Sequence, residues 1–208
     1  NIHQISHIGR YVQFLQENPN ELDLLFKELL IGVTNFFRDP EAFKTLQEEA
    51  LPALLRNKGK NSTVRVWIPG CSTGEEAYSV AIAIAECVEQ LKLTGLVKTQ
   101  IFATDLDKDA VDRARQGIYL PTIETDVSPE RLHRFFVKDD HGYRVSKPIR
   151  EMLVFAPQNL IMDPPFTKLD LLCCRNLLIY FTAELQRKLL PLFHYTLTPP
   201  GLLSLAPP

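Results

Sequence analysis

The stretch Val64-Arg65-Val66-Trp67-Ile68-Pro69-Gly70-Cys71-Ser72-Thr73-Gly74-Glu75-Glu76-Ala77 decides the fold of this chain. Its pattern predicts an apolar strand, a short turn with two glycines and a helix that follows directly. Because glycine has no Cβ, Gly70 and Gly74 let the backbone come close to a ligand. The free N–H groups at a helix start also point into such a turn. In an α/β protein this predicts a nucleotide-like ligand at the carboxyl end of the first strand.

Strand and helix patterns alternate from this point onward, which predicts an α/β fold with a mostly parallel sheet. The predicted strands are 63–68, 99–104, 152–156, 169–174 and 202–205. The predicted helices between them are 75–92, 107–116, 128–136 and 182–197. Residues 137–145 surround a turn-forming Asp-Asp-His-Gly and predict a hairpin.

The chain divides by pattern into three parts: a small N-terminal helical domain (1–31), a connector with a linking helix (32–57) and the α/β domain (58–208). Two helices are predicted in the first part, the second with an apolar face of Leu22, Leu25, Phe26, Leu29 and Leu30. In the connector, Asp39 is the expected N-cap of a helix that has Pro40 at its first position.

Composition excludes several classes of function. The net charge of −2 gives no electrostatic case for binding nucleic acid or an anionic membrane. No apolar run approaches the roughly 20 residues that span a bilayer, so no membrane insertion is expected. The four cysteines lack metal-type pairing and favour reduced thiols in a cytoplasmic protein. The five histidines show no ligand spacing, so no metal is predicted.

The glycine turn does not match the known phosphate-binding patterns. It is not GxGxxG, and it lacks the Lys-Ser/Thr of a P-loop. Glu75 and Glu76 suit the helix dipole but would repel a pyrophosphate. They favour a cationic ligand, and S-adenosylmethionine is one, with a positive sulfonium and a positive amino group. An ordinary tight βα turn is the alternative.

Two further groups of polar residues follow predicted strands. Asp105 ends a strand about 30 residues after the turn, where a carboxylate can accept hydrogen bonds from both ribose hydroxyls of an adenosine. The alternative is a helix cap, which we assign to Asp107. Arg175 and Asn176 leave a buried strand at its carboxyl end, in the crevice where open α/β sheets bind ligands, and Tyr180 follows one helical turn after Asn176. This pair could also be a simple polar exit from the strand.

Four motifs in this order resemble those of CheR-type chemoreceptor methyltransferases. They are Phe36-Phe37-Arg38-Asp39, Gly70-Cys71-Ser72-Thr73-Gly74-Glu75-Glu76-Ala77-Tyr78-Ser79, Ala103-Thr104-Asp105-Leu106-Asp107 and Cys174-Arg175-Asn176-Leu177-Leu178-Ile179-Tyr180-Phe181. The resemblance covers about residues 11–205 and is greatest to the CheR module of CheB–CheR hybrid proteins. It implies a Rossmann-like, S-adenosylmethionine-dependent methyltransferase sheet. It also implies a small antiparallel β-subdomain at about 137–155 and, by comparison with the usual length of the family's sheet, truncated C-terminal strands.

The resemblance also implies the reaction and its residues. This family transfers the methyl group of S-adenosylmethionine to glutamate side chains on the cytoplasmic helices of chemotaxis receptors, and S-adenosylhomocysteine is the product. The implied catalytic residues are Arg38 and Tyr180, which face the incoming glutamate. The implied cofactor-binding residues are Gly32 (through its backbone), Thr34, Arg38, Gly70, Glu76, Asp105, Asn159, Leu160, Asn176 and Leu177.

Two further features bear on the choice of partners and on other interpretations of the function. The hairpin turn 138–143 is short, which predicts no tight tether to a receptor's C-terminal peptide. Asp163-Pro164-Pro165-Phe166 is similar to the motif of amino-group nucleic-acid methyltransferases, but the buried strand follows it rather than precedes it. A loop stiffened by two prolines is the alternative.

A non-enzymatic role also stays open. The chain could be a weakly active sensor of the cofactor or a docking module beside other domains of a hybrid protein.

Overall fold

The computed structural model describes residues 7–21, 25, 32, 34–140 and 142–205. Internal contacts divide the chain into two compact units, Asn1–Val33 and Thr34–Pro208. The first unit contains α1 (Ile8–Glu17), which confirms the first of the two helices predicted there. Most of the predicted second apolar face (Leu22, Phe26, Leu29 and Leu30) lies outside the described residues.

The described part of the second unit contains seven further α-helices. They are α2 (Pro40–Thr45), α3 (Leu51–Arg56), α4 (Glu75–Gln90), α5 (Lys108–Gln116), α6 (Pro129–Phe135), α7 (Lys147–Arg150) and α8 (Ala183–Thr196). A π-helical turn, Leu46–Ala50, joins α2 to α3. Pro52 accounts for this turn, because it has no N–H to donate to the carbonyl of Glu48. No helix among the described residues is long and apolar enough to cross a bilayer.

The described residues also form eight strands. They are β1 (Ser62–Pro69), β2 (Val97–Asp105), β3 (Ile118–Tyr119), β4 (Phe136–Asp139), β5 (Gly142–Val145), β6 (Leu153–Pro157), β7 (Leu169–Cys174) and β8 (Leu197–Leu205). Five of them form one sheet in the order β6-β2-β1-β7-β8. Every neighbouring pair in this sheet is parallel. The prediction of an α/β fold with a mostly parallel sheet is therefore confirmed.

The core holds the glycine turn rigidly from both sides. All six residues of β7 are buried, as a central parallel strand requires. Trp67 in β1 is fully buried, and its indole N–H donates to Thr104 Oγ1 in β2 over 3.0 Å. On the far side of the turn, the run Ala77–Ile84 in α4 is buried at every position. The turn therefore connects two elements that cannot shift without disrupting the core.

A second, three-stranded antiparallel sheet has the order β3-β5-β4. This confirms a small antiparallel sheet but corrects the predicted range 137–155. The sheet begins earlier, at Ile118, and β6 does not belong to it. Leu153–Pro157 instead pairs with Ile101–Asp105 of β2, in parallel. The local pattern of a short apolar strand does not reveal which strand it pairs with, and here the partner strand lies about 50 residues earlier in the chain.

Candidate cofactor site and active site

Most of the predicted site residues lie at one edge of the main sheet. Because β1, β2, β6 and β7 are parallel, their carboxyl ends share an edge. This edge or the turns just beyond it contain Gly70, Asp105, Asn159, Leu160, Asn176 and Leu177. From β1 the chain builds outward through β2 to β6, and then returns to the other side with β7 and β8. The crevice at such a reversal is where open α/β sheets bind ligands.

The glycine turn packs too closely for other residues. Gly70 and Gly74 have φ values of 73° and 95°, which L side chains rarely adopt. A Cβ on Gly70 would lie 3.0 Å from Leu177 Cδ2, and one on Gly74 would lie 2.9 Å from Ala114 Cβ in α5. Ser72 between them also has a positive φ, 47°. The turn is thus pressed between the exit of β7 and α5.

The carboxylate of Asp105 organises the end of β2. One oxygen accepts the backbone N–H of Ser72 (2.7 Å) and the other accepts that of Asp107 (2.9 Å). Asp107 caps α5 by accepting from Asp109 N and Ala110 N, so its predicted role as a cap is confirmed. A carboxylate has about four acceptor positions, so Asp105 keeps capacity for two ribose hydroxyls.

Glu76 and Asn176 each present a buried oxygen. Glu76 Oε1 and Asn176 Oδ1 have no hydrogen-bond partner within the described part of the chain. Burial raises the pKa of Glu76 to about 7, while Arg175 and Arg38 oppose the rise and Asp39 adds to it. Buried polar atoms without partners are rare in native proteins and indicate an absent donor. The ammonium and hydroxyl groups of S-adenosylmethionine are such donors, so these residues fit that cofactor.

The connector before α2 brings Arg38 to the same edge. Arg38 is half-buried and lies close enough to Glu76 to lower its pKa. Asp39 occupies the N-cap position but does not cap with its side chain, contrary to the prediction. Its backbone is left-handed (φ 59°), and its carboxylate accepts instead from Arg175 Nη2 over 2.7 Å. Thr34 is half-buried in the same unit, whereas Gly32 belongs to the first unit.

Two residues of this region were missed by the sequence analysis as site residues. Arg175 was read with Asn176 as a possible polar exit, and it binds the connector. Ser79 was quoted within a motif but given no role. Its hydroxyl is buried and accepts the backbone N–H of Phe37 over 2.9 Å. The only available signal was the quoted motifs, because both contacts join residues that are far apart in sequence.

The loop after β6 serves its own structure. Asp163 accepts from the backbone N–H of Asn159 over 2.7 Å. Asn159 Oδ1 accepts in turn from Ile161 N and Met162 N, at 3.0 and 3.2 Å. Phe166 stacks on Phe102, with ring centroids 4.3 Å apart. Asp163 and Phe166 are thus engaged in the fold, which favours the stiffened loop over a base-binding motif.

Tyr180 is an exposed residue that follows Asn176 along the chain. It ends the 3₁₀ turn Leu178–Tyr180, four residues after Asn176, and is 54% exposed.

The four cysteines are buried and unbridged, and burial raises the pKa of each thiol. Where the structure describes the chain, no three His, Cys, Asp or Glu side chains are grouped so that they could hold a metal ion.

Comparison with known proteins agrees with this geometry. Residues 32–206 match the family described as "CheR methyltransferase, SAM binding domain". An uncharacterized 104.1 kDa protein of Rhodobacter capsulatus is 39% identical over 98% of this chain, which spans 21% of that protein. "Chemotaxis protein methyltransferase 1" of Pseudomonas aeruginosa is 36% identical over 97% of this chain and 74% of its own length.

The chemotaxis protein methyltransferase of Escherichia coli is 30% identical over 96% of this chain and 68% of its own length. These matches cover the turn, the connector and the strand ends that form the site. The chain therefore belongs to the CheR methyltransferase family and contains its S-adenosylmethionine-binding domain.

Proposed function

We propose that this chain transfers the methyl group of S-adenosylmethionine to glutamate side chains of chemotaxis receptors, forming glutamate methyl esters and S-adenosylhomocysteine. The observation that carries the proposal is the position of the positively charged Arg38 side chain. This cation lies close enough to Glu76 to lower its pKa, and Glu76 is one of the proposed cofactor-binding residues. Family membership and the names of the chemotaxis methyltransferase relatives support the same reaction.

The chemistry asks for alignment rather than for a base. The bound cofactor supplies an electrophilic methyl group on its sulfonium. A glutamate carboxylate has a pKa near 4.3 and is already ionised at neutral pH, so no residue has to remove a proton. The contribution of the protein is to hold the acceptor oxygen in line, which is catalysis by positioning. Amine or hydroxyl acceptors would require a base in addition.

Within the proposal, the roles of the residues follow from their chemistry. Arg38 offers a planar pair of donors that matches the two oxygens of a carboxylate. Tyr180, which is exposed, can donate one hydrogen bond to the incoming side chain. Glu76 binds the cofactor's ammonium group, Asp105 its ribose, and Asn176 with Leu177 the region near the sulfonium. Asn159 and Leu160 flank the adenine, while Thr34 contributes from the connector.

The proposed partner is the cytoplasmic helical region of a receptor, which puts the reaction in the cytoplasm. We also propose that no tight tether to a receptor's C-terminal peptide forms. In the small sheet, Asp139 of β4 pairs directly with Gly142 of β5, so the connecting turn is short. A Cβ on Gly142 would also clash with the carbonyl oxygen of Tyr119, which leaves little room there.

We also propose that this module works beside other domains in a hybrid protein. The relative from Rhodobacter capsulatus supports this, because this chain matches only 21% of it.

The decisive experiment uses S-adenosylmethionine with a labelled methyl group and purified receptor cytoplasmic fragments. We expect base-labile label on receptor glutamates, located by mass spectrometry. The matched control is a receptor fragment in which those glutamates are replaced by alanine. Tight binding of S-adenosylhomocysteine without any transfer would contradict the enzyme and indicate a sensor. Tight binding of a receptor-tail pentapeptide would contradict the proposed absence of a tether.

A further inference from the structure

The backbone on either side of Arg38 is held in a disfavoured conformation. Phe37 and Asp39 both lie in the left-handed region, with φ values of 50° and 59°. A bulky residue such as Phe rarely adopts this conformation unless its surroundings impose it. The direction in which the connector presents Arg38 therefore depends on contacts made by its neighbours.

One such contact comes from the end of β7. The side chain of Arg175 is only 4% exposed, and its Nη2 donates to the Arg38 carbonyl (2.8 Å) and to Asp39 Oδ2 (2.7 Å). The guanidinium also lies over the ring of Phe43 in α2, 5.0 Å from its centroid. One buried cation thus binds the backbone of Arg38 itself and the side chain that follows it.

The second contact comes from α4. Ser79 is fully buried, and its hydroxyl accepts the N–H of Phe37 (2.9 Å) while donating to the Glu75 carbonyl (2.7 Å). Glu75 directly precedes Glu76. The connector is therefore fixed to the two elements that also carry Glu76 and Asn176.

We infer that Arg175 is a positioning residue for methyl transfer. It acts through the connector, because its contacts fix the backbone conformation at Arg38 and Asp39, while Ser79 fixes the preceding residue, Phe37. The inference rests on the proposed function for its effect on catalysis. Its structural part concerns the apo protein alone. Losing the contact should release the strained backbone and turn Arg38 away from the acceptor.

The test compares Arg175→Gln with Arg65→Gln. Arg65 is a close match, because it also donates to a backbone carbonyl (Thr167 O, 3.4 Å), also lies over an aromatic ring (Phe102, 4.9 Å), and also has a buried Nε without a partner among the described residues. We expect Arg175→Gln to lower kcat about 100-fold, as misplacement of a catalytic group does, with a much smaller change in the KM for S-adenosylmethionine. Arg65→Gln should leave both near the wild-type values.

Amide hydrogen exchange of residues 34–43, measured without any substrate, supplies the independent readout. We expect exchange there to be about tenfold faster in Arg175→Gln, which is the shift for one lost hydrogen bond of ordinary strength, and unchanged in Arg65→Gln. Unchanged exchange in Arg175→Gln, or equal acceleration in Arg65→Gln, would overturn the inference. Since this arm needs no acceptor, it stands even if glutamate proves to be the wrong acceptor.

Asp39→Asn tests the same contact in a second variant, in case Arg175→Gln does not fold. Asparagine tolerates a left-handed backbone and keeps one acceptor, so the variant should fold while weakening the Arg175 contact. We expect an intermediate loss of kcat and an intermediate rise in exchange. Arg175→Lys, which keeps the charge but can reach fewer acceptors at once, should recover part of the loss. No recovery with lysine and no effect of Asp39→Asn would together contradict the positioning role.

Discussion

The backbone N–H of Ser72 donates to the Asp105 carboxylate over 2.7 Å and joins the glycine turn to the end of β2. Ser72 has a left-handed backbone, and this bond compensates for part of its strain. The same carboxylate is the one proposed to accept the ribose hydroxyls. Asp105 thus shapes the turn and binds the ligand, and its removal should affect both.

We predict that Asp105→Asn weakens S-adenosylhomocysteine binding about 10- to 100-fold, since hydrogen bonds to charged groups contribute about 1.5–3 kcal/mol. Asp107→Asn is the matched control. It replaces the neighbouring carboxylate in the same way, but asparagine caps a helix as well as aspartate does, so affinity should not change. Titration calorimetry measures both. Equal affinity of the two variants would remove Asp105 from the ribose site.

Glu76 should make cofactor binding depend on pH. Its pKa in the free protein is raised to about 7, because burial disfavours the ionised form. The cofactor's ammonium group favours the ionised form, so binding below pH 7 must first remove a proton. We expect the affinity for S-adenosylhomocysteine to fall by up to tenfold for each pH unit below 7. Calorimetry from pH 5.5 to 8.5 tests this, and in Glu76→Gln this dependence should be lost.

The same shift predicts an opposite trend in the stability of the free protein. The pKa of Glu76 is higher when folded (about 7) than when unfolded (about 4.5), so between these values the folded state holds more protons. This group's contribution to the free energy of unfolding therefore falls as pH rises from 4.5 to 7. Glu76→Gln should remove the fall and stabilise the free protein at pH 8, while weakening cofactor binding. Urea unfolding at several pH values measures the free energy of unfolding of both proteins. A Glu76→Gln variant that is less stable than wild type at pH 8 would contradict the prediction.

Much of this arrangement could be predicted from the sequence, because it depends on local patterns and on one topological rule. The strand, glycine turn and helix around Gly70 follow from neighbouring residues. The meeting of Gly70, Asp105 and Asn176 at one edge follows from parallel pairing of strands. The cap at Asp107 follows from its position before an amphipathic helix.

The rest depended on partners far away in the chain. Asp39 has the residue type and position of an N-cap, but Arg175, 136 residues later, binds its carboxylate. The pairing of β6 with β2 likewise depends on a strand that is distant in the sequence. The linking helix of the connector was predicted as one element, although Pro52 was a local signal for the π turn before α3. Long-range pairing of polar groups thus escapes pattern analysis, even when each residue type is correctly noted.

Gly74 should be replaceable only at a cost in stability that its close packing explains. Gly74→Ala would combine a positive φ with a contact of 2.9 Å to Ala114 Cβ. Gly95→Ala is the matched control, since Gly95 also has a positive φ (76°) but nothing within 4 Å of the added Cβ. The control measures backbone strain alone, about 1 kcal/mol. We expect Gly74→Ala to lose roughly 1–3 kcal/mol more, by chemical denaturation. Equal losses would mean that α5 can move away from the turn.

Arg38→Ala should separate catalysis from stability. Arg38 is half-buried in the connector, and the strained neighbours on each side are held by Arg175 and Ser79, which the substitution leaves in place. Folding should therefore change by less than about 1 kcal/mol, whereas methyl transfer should fall at least about 100-fold, because the acceptor carboxylate loses its paired donors. Labelled-methyl transfer and thermal unfolding are measured on the same preparation. Arg134→Ala, which removes an exposed arginine paired with Glu89 on α4, is the control and should transfer methyl groups normally. A transfer rate near wild type in Arg38→Ala would leave the acceptor carboxylate without its proposed ligand, and Tyr180 would then have to orient it alone.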